Sequence, residues 1–227
     1  MSEKQLPRCA ACPFKKPDRI CFRPGGRHPD ECPTANFPEL VEQSVRTVTE
    51  DPELLRFARE SAIVEGEAYV NQGGIPKPVK SRIEETMDFA RRMDYKRLGL
   101  VFCMGLSAEA ATVLKILEKN GFETASVVCK VGGIPKEALG VPQDKQLRCG
   151  HETTCNPTLQ AEVCNAMDVD FAILLGLCVG HDSMALRALK APATVLAVKD
   201  RLLGHNPLAA IYTSDVYHRY LTAPKKD

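Results

Sequence analysis

Leu98-Gly99-Leu100-Val101-Phe102-Cys103-Met104-Gly105-Leu106-Ser107 joins an unbroken apolar run to a small-residue turn and a serine placed to cap a helix. An apolar run without polar alternation reads as a strand buried on both faces. Val113, Leu114 and Leu117 follow at helical spacing and Gly121 ends the pattern, so a strand and its crossover helix are expected in succession. Residues 126–131, 171–177 and 193–198 repeat the apolar run, with helical stretches near residues 157–167 and 183–189 and a closing helix expected over residues 207–221. This βαβ period predicts an α/β fold: a three-layer, mainly parallel four-stranded (Rossmann-like) sheet with helices on both faces and right-handed crossovers. The strand order stays open.

Upstream of Arg97 the pattern is helical. Asp51-Pro52 pairs a cap with a first-turn proline, and Leu55, Ala58 and Ala62 carry a helix to about Val70. Gly73-Gly74-Ile75-Pro76 is expected to break it, and Ile83, Met87 and Ala90 mark another helix ending near Arg92. Residues 1–38 hold four cysteines and seven prolines with no core-forming periodicity. The expected organisation is therefore a cysteine-rich metal-binding segment (1–38), a helical segment packing on the core (39–96) and an α/β domain with a thiol-lined crevice (97–227).

Bulk properties narrow the function. Of 227 residues 44% are hydrophobic, enough for a sizeable core, and a formal charge of +1 provides no field to recruit nucleic acid or an anionic membrane. No apolar run reaches the roughly 18 residues of a membrane span, and the opening residues lack the apolar stretch of an export signal, so a cytoplasmic protein is expected. Ten cysteines in such a chain point to metal or thiol chemistry rather than to a disulfide framework.

Cys9, Cys12, Cys21 and Cys32 supply four thiolates, a complete tetrahedral shell, with His28 as a spare ligand. The spacing matches neither a bacterial ferredoxin run nor a paired zinc ribbon, which leaves zinc or an iron-sulfur cluster open, zinc favoured. Without a metal the segment has no means of ordering itself. Seven Lys or Arg against four acids give it a net +3, but no aromatic is interleaved with the basic residues beyond Phe14 and Phe22, so nucleic acid is not favoured.

A second constellation emerges when polar residues are mapped onto the four strands. Each ends in reactive groups: Cys103, then Cys129-Lys130, then Cys178, then Lys199-Asp200-Arg201. Carboxyl ends of parallel strands line the crevice where open α/β sheets bind ligands. The long stretch 132–156 adds Cys149, His151 and Cys155, and the turn after the third strand adds His181 and Asp182 beside a helix start. Asn156-Pro157, and Asn206-Pro207 after His205, have the form of helix caps. Cys178, His181, Asp182, Lys199 and Asp200 are the expected catalytic set. Cys103, Cys129, Lys130, Cys155, Asn156, Arg201, His205 and Asn206 are the expected ligand-holding set. Cys164 falls inside an amphipathic helix and is expected to pack.

With the four-cysteine segment, Phe102-Cys103-Met104-Gly105-Leu106, Cys129-Lys130-Val131-Gly132, Cys155-Asn156-Pro157, Gly176-Leu177-Cys178-Val179-Gly180-His181-Asp182, and Val198-Lys199-Asp200-Arg201 with Gly204-His205-Asn206-Pro207, the chain resembles the uncharacterised prokaryotic cysteine-rich "metal-binding protein" domain-of-unknown-function family, found largely in anaerobes. The resemblance implies metal binding and names no reaction. The expected function is a metal-binding protein whose N-terminal centre is structural or relays electrons. A second zinc or iron-sulfur centre is expected in the crevice, where three of Cys103, Cys129, Cys155 and Cys178 would hold metal for oxidoreductase or sulfur chemistry on a small molecule. The alternatives are a non-catalytic metal sensor or carrier, or a zinc-dependent module that binds nucleic acid or protein.

Overall fold

In the computed structural model residues 6–148 and 150–223 are described, and Cys149 lies outside them. The chain divides into two units, Met1–Ile63 and Val64–Asp227. In the first, 3-10 turns at Cys9–Ala11 and Lys16–Asp18 precede α1 (Pro33–Asn36), α2 (Pro38–Glu50) and α3 (Pro52–Glu67), which runs past the division. All three helices begin with proline, where the missing N–H would have had no intrahelical partner. Asp51 caps α3, its Oδ1 accepting the N–H groups of Glu53 at 2.9 Å and Leu54 at 3.0 Å. Arg19 organises the segment before α1 by donating to the Phe14 and Cys12 carbonyls, and Arg27 lies 4.2 Å from the Phe14 ring centre.

In the second unit the expected end of α3 is corrected. The helix stops at Glu67, and β1 (Tyr69–Gln72) and β2 (Ile75–Pro78) form an antiparallel hairpin. Gly73 and Gly74 do more than break a helix: with φ of 60° and 87° they form the tight turn, and Asn71 Oδ1 accepts the Gly74 N–H at 2.7 Å. A capping box follows, in which Ser81 N–H donates to Glu84 Oε2 at 2.7 Å, and starts α4 (Arg82–Arg92).

The core is the alternation β3 (Arg97–Phe102), α5 (Ser107–Lys119), β4 (Glu123–Val128), α6 (Pro157–Ala166), β5 (Phe171–Leu177), α7 (His181–Ala188) and β6 (Ala193–Val198). All four strands are parallel and their order is β4-β3-β5-β6. The expected three-layer α/β fold is the observed one. Right-handed crossovers place α5 on one face and α6 with α7 on the other, because the chain moves outward from β3 to β4 and then back across to β5. Connections therefore diverge between β3 and β5, the position at whose carboxyl ends open α/β sheets bind ligands. All seven residues of β5 are buried. Leu98, Leu100, Leu117, Ile173 and Leu174 are fully enclosed, each contributing roughly 1.5–3 kcal/mol. Cys164 is fully buried, as expected for a packing thiol, and a Cβ on Gly99 would sit 3.0 Å from its Sγ, so glycine at 99 lets α6 pack tightly on β3.

Three expectations need correction. Ser107 does not cap α5; its hydroxyl donates back to the Met104 carbonyl at 2.6 Å. The second sheet strand is 123–128 rather than 126–131, so Cys129 and Lys130 stand in the turn that follows it. The closing helix is the short α8 (Leu208–Tyr212) and then turns: Thr213 Oγ1 bonds the Ala209 carbonyl and His218 Nδ1, both at 2.7 Å, competing with helix continuation. Among the described residues no helix is long and apolar enough to cross a membrane.

Candidate functional site

Parallel register sets Phe102 opposite Val128, so Cys103 and Cys129 leave neighbouring strands at the same level. Cys155 reaches them from the far end of a long loop whose stem is closed by a ladder. Lys136 N–H donates to the Glu152 carbonyl at 2.9 Å, Thr154 N–H to Ile134 at 2.7 Å and Asn156 N–H to Cys129 at 2.8 Å. Lys130 Nζ also bonds the Thr153 carbonyl, and Lys136 pairs with Glu152 at 2.9 Å. Two 3-10 turns, Lys136–Leu139 and Gln143–Lys145, occupy a stretch that looked structureless in sequence.

Cys129 lies between Cys103, level with it on the next strand, and Cys155, whose successor Asn156 binds the Cys129 carbonyl. Hydrogen bonding with those two thiols, with burial, pushes the Cys129 thiol far above the usual thiol range, against the Met104 N–H that donates to its sulfur at 3.3 Å. Cys103 is drawn down to about 5 by the Cys129 bond, by the Gly105 N–H and by Lys199, with burial opposing. Cys155 falls to about 6 through Cys129 and the charges of Lys130 and His181, with burial and the Cys103 charge opposing. Backbone amides and cations thus favour the thiolate at Cys103 and Cys155, while their neighbours favour the thiol at Cys129.

Cys178 is placed apart in bonding. Register sets Phe102 opposite Leu175, which puts Cys178 beyond the level of Cys103 in the turn before α7. Its carbonyl receives the His181 and Asp182 N–H groups at 2.9 and 3.1 Å, and its sulfur receives Arg201 Nη2 at 3.0 Å. Several other expected catalytic and ligand-holding residues serve local structure. Asn156 Oδ1 caps α6 through Leu159 N–H at 3.1 Å, and Asp182 Oδ1 takes Ser183 N–H at 2.7 Å. Asp200 Oδ1 takes the N–H groups of Leu202 and Leu203 at 3.0 and 2.9 Å. His205 Nδ1 lies 3.2 Å from both Asp200 N and the Val198 carbonyl, and Asn206 provides no side-chain cap for α8. Lys199 remains near the sulfurs: its Nζ and Cys103 Sγ lie 3.5 and 3.9 Å from the Cβ position of Gly105.

Sequence reasoning missed Gln160. It is fully buried, and its Nε2 spans the ends of two strands, donating to the Phe102 carbonyl at 3.1 Å and to Val127 at 2.6 Å, directly beneath Cys103 and Cys129. A glutamine among Pro157, Ala161 and Cys164 on the inward face of α6 was the available signal. It also missed Gly176, whose φ of 67° interrupts the β5–β6 register and lets Leu106 pack against the strand.

In the first unit Cys9, Cys12, Cys21 and Cys32 line one cavity of about 50 Å³ with Arg19 and Arg27, and all four are free thiols. His28 Nδ1 bonds the Pro29 carbonyl at 3.2 Å. Among the described residues no three His, Cys, Asp or Glu side chains are already grouped about one metal position.

Comparison with known families gives a match to the family described as Protein of unknown function (DUF1847) over residues 32–196. The chain belongs to that family. Cys103, Cys129, Cys155 and Gln160 fall within the matched span and Cys9, Cys12 and Cys21 precede it. The chain is also 43% identical over 162 residues to Uncharacterized protein MJ0455 of Methanocaldococcus jannaschii, covering 71% of this chain and 78% of that one.

Proposed function

We propose that the protein binds metal at two thiol sites, a structural one on the N-terminal cysteines and a ligand-accessible one formed by Cys103, Cys129 and Cys155. The observation that carries the second site is the convergence of three cysteines: Cys103 and Cys129 follow paired strand ends at one level, and the Asn156 N–H bond to the Cys129 carbonyl ties Cys155 beside them. Around a zinc ion at about 2.3 Å, tetrahedral sulfurs stand about 3.8 Å apart, within the reach of a sulfur hydrogen bond. Binding would displace the Cys129 proton. Amide and lysine hydrogen bonds to the sulfurs suit either zinc or an iron-sulfur cluster. The N-terminal donor set fits a closed four-thiolate shell, since all four cysteines share one cavity. A cluster in the crevice would support redox or sulfur chemistry on a small molecule, and zinc would supply a Lewis acid.

The test is protein purified without oxygen and assayed for zinc, iron and acid-labile sulfide per chain, in wild type, Cys129→Ser and Cys178→Ala. Cys129→Ser should lose the crevice metal and Cys178→Ala should keep it. Equal metal content in wild type and Cys129→Ser would remove the second site.

A further inference from the structure

We infer that Cys103 and Cys129 are a redox pair that closes to a disulfide by exchange with a low-molecular-weight disulfide and reopens with a low-molecular-weight thiol. The sheet sets the pairing. Phe102 stands opposite Val128 and the Cys129 N–H donates to the Phe102 carbonyl at 2.8 Å, so the two cysteines follow as the next matched position. Neighbouring strands stand about 4.8 Å apart, inside the roughly 4.4–6.8 Å between Cα atoms that a disulfide spans. Val101 and Val127, paired two residues earlier, belong with Cys129 to one apolar cluster, and Cys103 packs against that cluster. Alternate residues share a face of a strand, so both thiols leave the sheet on the same side. The Met104 N–H donates to the Cys129 sulfur at 3.3 Å, which holds that sulfur against the peptide leaving Cys103. Cys155 reaches Cys129 from a loop and Cys178 is bonded to Arg201, so neither shares this alignment.

Both members of the pair are free thiols, and they differ in access. Cys103 is half-buried whereas Cys129 is 2% exposed, so Cys103 is the thiol that meets an incoming disulfide. Its sulfur attacks one sulfur of R–S–S–R, a Cys103–S–S–R bond forms, and R–SH leaves. The Cys129 sulfur then attacks the Cys103 sulfur, and the second R group leaves as R–SH. Two protein thiols have given two electrons and two protons to the small disulfide. Excess R–SH reverses both steps. The inference does not need a metal. Because the thiolate is the form that binds metal, the bridge and a metal on the same sulfurs exclude each other.

The experiment treats the full chain, reduced and freed of metal by a chelator, with oxidised glutathione, then alkylates the remaining thiols and maps the cysteines by mass spectrometry. Wild type should yield Cys103 joined to Cys129, with the fully buried Cys164 still a thiol. Excess reduced glutathione should return both thiols of the pair. Cys129→Ser should stop at one glutathione on Cys103, and Cys103→Ser should leave Cys129 a thiol. Both thiols left reduced in wild type, Cys103 bridged instead to Cys155 or Cys178, or Cys103 carrying glutathione beside a free Cys129 would overturn the pair. The wild-type map needs no variant, so it decides the matter even where a substitution at buried residue 129 impairs folding. Its readout is independent of metal, so it succeeds or fails apart from the metal assay above.

Discussion

Replacing Gly176 by alanine tests whether the bend in β5 is what seats the turn carrying Cys103. The new Cβ would lie 1.9 Å from Leu106 Cδ1 and 3.2 Å from its Cγ, and Leu106 is only 4% exposed. Residue 176 has a φ of 67°, where an alanine costs roughly 1–2 kcal/mol. Forcing a buried leucine out of its seat costs roughly 1–3 kcal/mol more. The sum of about 2–5 kcal/mol is a large share of the roughly 5–15 kcal/mol that stabilises a domain. Urea unfolding followed by circular dichroism should show a lower midpoint with an unchanged slope. Gly121→Ala is the control: its φ of 87° carries the backbone cost, but nothing lies within 4 Å of its Cβ position, so it should lose only the first part. In a double-mutant cycle Leu106→Ala should relieve the clash, because the Leu106 Cβ is 3.9 Å away, and the two changes should cost less together than their sum. Equal losses in Gly176→Ala and Gly121→Ala, with strict additivity in the cycle, would refute the packing of Leu106 on the bend.

In metal-free protein, iodoacetamide should label Cys103 at neutral pH, because its pKa of about 5 leaves it a thiolate, and the rate should fall only as pH drops toward that value. Cys164, raised to about 11 by burial, should stay unlabelled until the protein unfolds; early labelling of Cys164 would contradict its placement. Gln160→Leu should cost about 1–3 kcal/mol, since it removes the donor to the Phe102 and Val127 carbonyls, and a loss below about 0.5 kcal/mol in urea would show the clamp is idle. Cys12→Ser should expose residues before about Cys32 to protease, because that segment lacks the apolar surface to offset roughly 1–2 kcal/mol of chain entropy per ordered residue. Continued protection after verified metal loss would rule out metal as its source of order.

The strands buried on both faces were the most legible part of the chain. β5 and β6 begin and end where their apolar runs do, and β3 extends its run only by Arg97. β4 was displaced because it opens on Glu123 and Thr124 at the sheet edge, while Val131 prolongs the apolar run past the last pairing. The hairpin was hidden because all eight of its strand residues are exposed, which removes the alternation that marks a half-buried strand. For the site, position at a carboxyl end was readable and bonding was not. Cys103 and Cys129 share a level by register, but Cys178 lies farther along its chain, in a turn where Arg201 claims its sulfur. Asn156, Asp182 and Asp200 are polar residues near a site that satisfy backbone amides, a use that composition does not distinguish from ligand binding. Gln160 escaped because helix periodicity assigns polar residues outward, and only the two strand-end carbonyls explain why this one turns in.

The laddered stem beneath Cys155 separates the length of the intervening loop from the position of the sulfur. The bridge between Pro135 and Thr153, the Lys136–Glu152 pair and the Asn156–Cys129 bond all lie at the base, and nothing beyond them has to be a given size for the thiols to meet. Chain closure costs only about 0.6 kcal/mol per doubling of a flexible loop. Residues 137–151 are therefore a place where the protein can gain or lose whole segments, and so acquire a cover or a docking arm, while the three sulfurs keep their spacing.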